Sequence, residues 1–287
     1  MTTILQLAKN LQTTSSSDVD FTYKYAISEY ADKMMFNSKS DVNAWYLVAK
    51  KFDDFCKSTR KDCLFLADIY RPFCLNGDEK IVRTTSLENT IEKDIVPKLR
   101  YMTGINSSYT AGYSDWFYVQ DDYTGDMMWL PPSIKAAGIC IYTDAYSHTW
   151  DAPAGLNRGI VKNVVDIAFS PSNEEAGKLY MQCWNYAINY PVSGIALEGQ
   201  KTMQLQKTAF DRINVRRLFL YLEKKIIRVA KYFLYEGNTA YLRQRFVDTI
   251  RPLLEDAVAG YGIREYYIKC DDTNNTTQTI DNNELHC

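Results

Sequence analysis

The longest run of helical periodicity lies at 213–236. Val215, Phe219, Leu222, Ile226, Val229 and Phe233 recur there every three or four positions and predict one continuous apolar stripe. Thr239 is placed to cap a second helix with Leu242, Phe246, Ile250, Leu253 and Ala257 on one side; Pro252 predicts a kink or restart, and Gly260 and Gly262 an end. Nearer the start, Ser40 or Asp41 can cap a helix carrying Val42, Trp45, Val48, Phe52 and Phe55. Weaker helical patterns occupy 18–34, 86–102 (Ile91, Ile95 and Leu99, with Pro97 against its second half), 131–146 and 172–184, the last capped by Ser172.

Strand signals alternate with these. The short apolar segment DCLFLADI (62–69) reads as a strand covered on both faces. The aromatic segments DWFYVQ (115–120) and MMWLP (127–131) flank DDYTGD, a hairpin connection. Further strands are expected at 161–169, 187–191, 194–199 and 264–271, and 280–287 reads as an extended segment with an open edge. Helix, buried strand, helix is a layered α/β pattern, and the second half mixes helices and strands, so the fold class is α/β to α+β. The irregular WDAPAGLNRG (150–159) marks the expected boundary between a first domain, 1–158, and a second, 159–287.

Composition narrows the function. The chain of 287 residues is 46% hydrophobic and carries 22 tyrosines, a residue suited to surfaces that are buried late because its ring packs while its hydroxyl stays wet. The net charge is −2, yet residues 201–251 hold twelve bases against four acids, which leaves the remainder acidic. Arg228, Lys231, Arg243 and Arg245 sit off the apolar stripes and are the candidate contacts to an acidic partner surface. Seven cysteines without a CxxC pair and two distant histidines, His148 and His286, form neither a zinc pattern nor a disulfide framework. The first residues predict no secretory leader, and no run of eighteen apolar residues predicts a membrane span. Gly194-Ile-Ala-Leu-Glu-Gly199-Gln200-Lys201-Thr202 approaches a phosphate-binding loop, but Gln200 separates the second glycine from the lysine. Catalytic signatures such as GxSxG and HExxH do not occur, so no catalytic, metal or cofactor residue is assigned. The basic segment lacks any accompanying nucleic-acid motif, so a protein-facing or solvated face is preferred to nucleic-acid binding.

Four stretches in order, NSSYTAGYSDWFYVQDDYTGDMMWLPPS (106–133), WDAPAGLNRG (150–159), AFDRINVRRLFLYLEKKI (209–226) and CDDTNNTTQTIDNNEL (270–285), together resemble the C-terminal half of T4-type contractile tail sheath proteins. The resemblance is dense from about residue 100 onward. It implies a middle α/β domain followed by an inner α+β domain. It implies a non-enzymatic virion subunit, assembled in the host cytoplasm as hexameric rings stacked around a tail tube. Baseplate and tail terminator proteins are the other partners, with no cofactor and no membrane insertion. On this reading Ile280, Asp281, Asn282, Asn283, Glu284 and Leu285 pair as a strand with a neighbouring subunit. Outer domains and a further terminal arm, usual in such proteins, are not evident, so the chain alone is expected to fold but to assemble poorly. The rival readings are a sheath subunit of a non-phage injection system and an α/β nucleotide-binding enzyme.

Overall fold

A computed structural model describes residues 39–69, 104–121 and 123–287. The helices expected at 18–34 and 86–102 lie outside the described residues. The chain divides into two compact units. The first comprises residues up to Ser147 together with Ala152–Ile213, and the second His148–Asp151 together with Asn214–Cys287.

The first unit opens with helix α1 (Lys39–Asp54), which continues into a π-helical turn, Phe55–Arg60. Strand β1 (Phe65–Asp68) follows, and all four of its residues are buried. It pairs in parallel with β2 (Thr110–Tyr113), which pairs in parallel with β6 (Trp184–Tyr190); β7 (Gly194–Glu198) closes this four-stranded sheet antiparallel to β6. The alternation of side chains along β1, with both faces covered, explains why Phe65, Leu66 and Ala67 are apolar in succession. Phe65, Ala67 and Ile69 join a cluster with Ala49 and Cys56 on the α1 side, and Phe52 stacks on Phe65 with ring centroids 5.6 Å apart. Leu66 joins the opposite cluster with Ala136, Ala137 and Ile139 of α2 (Pro132–Tyr146). Asp68 faces the same way and accepts hydrogen bonds from the Ser133 amide (2.6 Å) and hydroxyl (2.7 Å). A buried carboxylate thereby meets the positive end of α2 and satisfies one of its orphan amides.

The aromatic hairpin forms where the pattern places it. Strands β3 (Phe117–Gln120) and β4 (Met127–Leu130) pair antiparallel, and Tyr118 tilts against Trp129 at 4.8 Å. The short β5 (Asp166–Ile167) completes a three-stranded sheet in the order β4-β3-β5. Of the strand expected at 161–169, only these two residues form one. Between α2 and β5 stands the single helical turn α3 (Gly155–Arg158). Helix α4 (Asn173–Met181) begins with a full capping box, Ser172 accepting from the Glu175 amide and Glu175 accepting from the Ser172 amide.

Two buried polar groups tie this unit together. Asn185 on β6 is fully buried; its Nδ2 donates to the carbonyls of Gly112 and Lys201, each at 2.9 Å, and its Oδ1 accepts from the Lys201 amide at 2.8 Å. Gly199 lies against it with φ +96°, and a Cβ there would stand 2.7 Å from Asn185 Oδ1. Asp115, buried after β2, accepts from the Ala187 amide, and burial pushes its carboxyl well above the usual carboxylate range.

The second unit packs α5 (Ile213–Ala230) with α6 (Ala240–Ala259). Leu218, Leu222 and Ala257 form its buried center, joined by Trp150, Tyr221, Leu253, Leu254 and Ile263. This differs from the expected stripe in two respects. Leu222 is buried as anticipated, but Leu218 takes the place assigned to Phe219, which is exposed. The stripe, expected to pack on a sheet of the inner domain, packs on a helix: among the described residues of this unit no strand forms, and 264–271 is neither helix nor strand. Helix α6 runs through Pro252 without restarting, while α5 gives way to a 3-10 turn at Lys231–Phe233.

The division between units falls at Ile213/Asn214, whereas the sequence pattern pointed to 158/159. Segment 159–213 supplies β5, which pairs with β3, β6, which pairs with β2, and β7, which pairs with β6, and these ladders hold it in the first unit. The glycine-containing loop contributes a different feature. Trp150 donates from Nε1 to the Gly260 carbonyl at 2.8 Å, and the His148 ring stacks on it at 4.6 Å. A Cβ at Gly260 would stand 2.5 Å from the Trp150 ring, and one at Gly262 2.9 Å from it. The left-handed residue at this helix end is Tyr261, with φ +59°. The two glycines therefore make room for the tryptophan and are not what turns the chain. Gly260→Ala is expected to lower the stability of the second unit by about 1–3 kcal/mol, the usual cost of overpacking. A thermal midpoint equal to that of the unaltered chain would show that Trp150 can shift freely.

Candidate assembly surface

The four basic candidates separate into two groups. Arg228 on α5, Lys231 on the 3-10 turn and Arg245 on α6 are exposed. Two aromatic contacts bring the turn and the first half of α6 together: Phe233 meets Phe246 edge-on at 5.1 Å, and the Arg245 guanidinium lies 5.2 Å from the Phe233 ring. Lys231 and Arg245 are thus presented on adjoining elements. Arg243 does not belong with them. It is buried, donating to Asn238 Oδ1 at 2.8 Å and to the Asp272 carboxylate. A helix position off the apolar stripe reaches inward here because residues 270–287 fold back over α6, a long-range contact that periodicity does not register.

The same contacts decide the shape of the terminal segment. The expected extended strand over 280–287 is not formed. Thr276 caps a short helix, α7 (Thr277–Asp281), which contains Ile280 and Asp281, and Asn282 ends it. Asn283 adopts φ +59° and turns the chain. The Glu284 amide donates to the Thr279 carbonyl at 2.9 Å, and Asn238 Nδ2 donates to the Glu284 carbonyl at 2.8 Å. Asn275, itself buried, accepts from the His286 amide at 2.9 Å and donates to the His286 carbonyl at 2.8 Å. Leu285 is half-buried beside them. Side-chain amides therefore already occupy backbone groups that a strand would offer to a neighbor.

Two features of this surface went unremarked in the sequence pattern. Tyr232, Leu234, Tyr235 and Tyr241 are all largely exposed, clustered in sequence around the turn that joins α5 to α6 and interspersed with Arg228, Lys231 and Arg245. Their position between the two apolar stripes was the available signal. Tyrosine and arginine side by side, with apolar area left open to water, is the composition of a protein-binding surface. The second feature is segment 264–270, where half-buried Tyr266, Ile268 and Cys270 alternate with exposed Tyr267 and Lys269. Period-two burial in a segment without a strand partner among the described residues suits addition to a sheet.

The near-match to a phosphate loop dissolves in three dimensions. Residues 194–198 are strand β7, and Lys201 pairs with Asp211 at 3.2 Å while its ammonium lies 5.1 Å from the Tyr180 ring. A phosphate-binding loop needs backbone amides converging with a disengaged lysine.

No protein-family profile matches the chain. It is homologous to the tail sheath protein of Enterobacteria phage T4, with 39% identity over 181 residues, 63% of this chain and 28% of that protein. The chain therefore spans under a third of that relative's length. The anti-feeding prophage helical sheath in its contracted state shares the fold at a TM-score of 0.62 and 20% identity, over 88% of this chain and 62% of that one. The sheath complex of an extracellular contractile injection system, also contracted, gives 0.60 and 20%, over 72% and 56%.

Proposed function

We propose that this homolog of T4-type tail sheath proteins is a structural subunit of a contractile tail sheath. It forms hexameric rings stacked around a tail tube and contracts to drive that tube through the host envelope. The sequence relationship supports the family reading. The observation that carries an assembling role is the exposed run of tyrosines and bases joining α5 to α6. Contraction on this reading exchanges one packing of rigid subunits for another of lower energy and consumes no nucleotide. The chain has no catalytic role in this proposal. Its partners are further sheath subunits, the tube protein, and the baseplate and terminator proteins at the two ends. The subunit resides in the virion and is assembled in the host cytoplasm.

Arg228, Lys231 and Arg245 are assigned to contact with acidic surface on the tube or a neighboring subunit, and Arg243 to holding the terminal segment. Reversing charge at Lys231 and Arg245 is expected to weaken co-sedimentation of sheath with tube, with the largest deficit at low salt, because exposed charges are screened. Equal pelleting of altered and unaltered protein across a salt series would remove these residues from the interface. Segment 264–270 is the proposed acceptor of a neighbor's strand, by β-augmentation.

The overall reading is tested by negative-stain microscopy of the chain mixed with tube protein and a full-length sheath relative. Incorporation of the chain into ordered rings or striated cylinders is the expected product, while the chain by itself is expected to order poorly. Failure to enter any ordered assembly with those partners present counts against the reading. The fold shared with the injection-system sheath supports a second reading, a subunit of such a system. Capsid and portal genes beside this one would favor the phage; their absence from a complete gene cluster would favor the injection system.

A further inference from the structure

Cys56 and Cys63 belong to no part of the surface described above. Cys56 lies in the π-helical turn after α1, buried against Ala49, Phe65 and Ala67, and Cys63 packs on the same cluster from the half-buried approach to β1. Their sulfurs stand 3.4 Å apart, both thiols reduced. The intervening loop is held in shape. The Lys61 amide donates to the Cys56 carbonyl at 2.8 Å with Lys61 at φ +58°, and Arg60 grips Asp62 through two bonds of 2.8 and 2.9 Å. The wide turn returns the chain so that residues seven apart meet side chain to side chain.

We propose that Cys56 and Cys63 form a modification site, a dithiol that closes reversibly to a disulfide when the protein meets a low-molecular-weight disulfide. Closing the gap from 3.4 Å to a bond of about 2.05 Å requires side-chain rotation on the scale of one ångström, with the loop already in place. The order of events follows from exposure. Cys63, the more accessible, attacks as thiolate on a disulfide such as oxidized glutathione, releasing one glutathione thiol and leaving a mixed disulfide on Cys63. Cys56, as thiolate, then attacks the Cys63 sulfur, forming the Cys56–Cys63 bond and releasing the second glutathione thiol. Two protein thiols are oxidized and one glutathione disulfide is reduced to two thiols, so electrons and protons balance. The product fastens the end of α1 to the entrance of β1, between the helix and the sheet it covers. Excess dithiol reductant reverses it.

The test uses the folded chain under native conditions. It is incubated with oxidized glutathione, remaining thiols are blocked with an alkylating agent, and the protein is digested with trypsin without reductant. Cleavage after Lys57, Arg60 and Lys61 separates the two cysteines, so a bond between them appears as a linked peptide pair in mass spectrometry. The expected result is that pair as the main product at these positions, little accumulated glutathione adduct on Cys63, and a raised thermal midpoint that returns with dithiothreitol. Cys63→Ser should abolish the pair and leave Cys56 largely without adduct. A stable glutathione adduct on Cys63 beside an alkylated Cys56, a link from either residue to a different cysteine, or full alkylation of both after incubation would each overturn the proposal.

Discussion

Replacing Asn185 with leucine is expected to destabilize the first unit by about 3–5 kcal/mol, a large share of what a domain possesses. The two side chains share the same number and branching of heavy atoms, so most of the loss comes from hydrogen bonding, with the greater bulk of the methyl groups adding to it. The change strips partners from the Gly112 and Lys201 carbonyls and the Lys201 amide. Each buried backbone group left unpaired costs about 1–3 kcal/mol. These groups bridge β2, β6 and the segment after β7, so the damage should spread across the parallel sheet. Hydrogen exchange resolved to the peptides of β2 and β6 is the suitable measurement. Protection there should fall by two or more orders of magnitude while α5 and α6 keep theirs, since about 1.4 kcal/mol corresponds to a tenfold change. A change below tenfold would mean that water reaches these groups and replaces the amide.

Leu218→Ala is the counterpart in the second unit, with an expected loss of about 2–5 kcal/mol for a leucine truncated in a packed center. Leu218 is 1% exposed and shares its cluster with Leu222 and Ala257. The adjoining Phe219→Ala supplies the contrast. Phe219 is 38% exposed, so its removal should cost well under half as much despite the larger ring. Urea unfolding of both variants decides between the two registers. Should Phe219→Ala prove the more damaging, the stripe read directly from sequence periodicity would be correct and the packing of α5 described here would be rotated.

Residues 213–236 illustrate how sequence and structure divide the information. The spacing of apolar residues establishes that a helix exists and that one side is buried. It does not choose between Leu218 and Phe219 as the inward residue, because neighboring apolar positions satisfy the same period within one step. The inward side is the one that meets Leu253, Leu254, Ile263 and Trp150, the last brought in from a loop far away in sequence. Arg243 makes the same point with charge. Its place off the stripe of α6 correctly marks a separate side of the helix, but Asn238 and Asp272 lie across that side and bury it. The surface at the α5–α6 turn was half legible. The excess of bases and the abundance of tyrosine were visible, while the exposure of Tyr232, Tyr235 and Tyr241 was not.

Local signals determined what local physics can determine. The Ser172 cap with its Glu175 partner, the doubly covered strand at Phe65–Asp68 and the aromatic hairpin through Phe117–Gln120 and Met127–Leu130 all arise from near neighbors or simple alternation, and all formed. The order of four resembling stretches also carried the relationship to tail sheath proteins before any coordinates. Only the tertiary structure decided where the two units part, because β6 joins the first unit by pairing with β2, some seventy residues earlier, and β7 follows by pairing with β6. It also decided that 280–287 turns and does not extend. The whole of 280–287 read as an open strand edge, yet Asn238, Asn274 and Asn275 supply backbone partners from other parts of the chain. A short polar segment has little preference of its own, so whichever groups reach its amides and carbonyls set its shape.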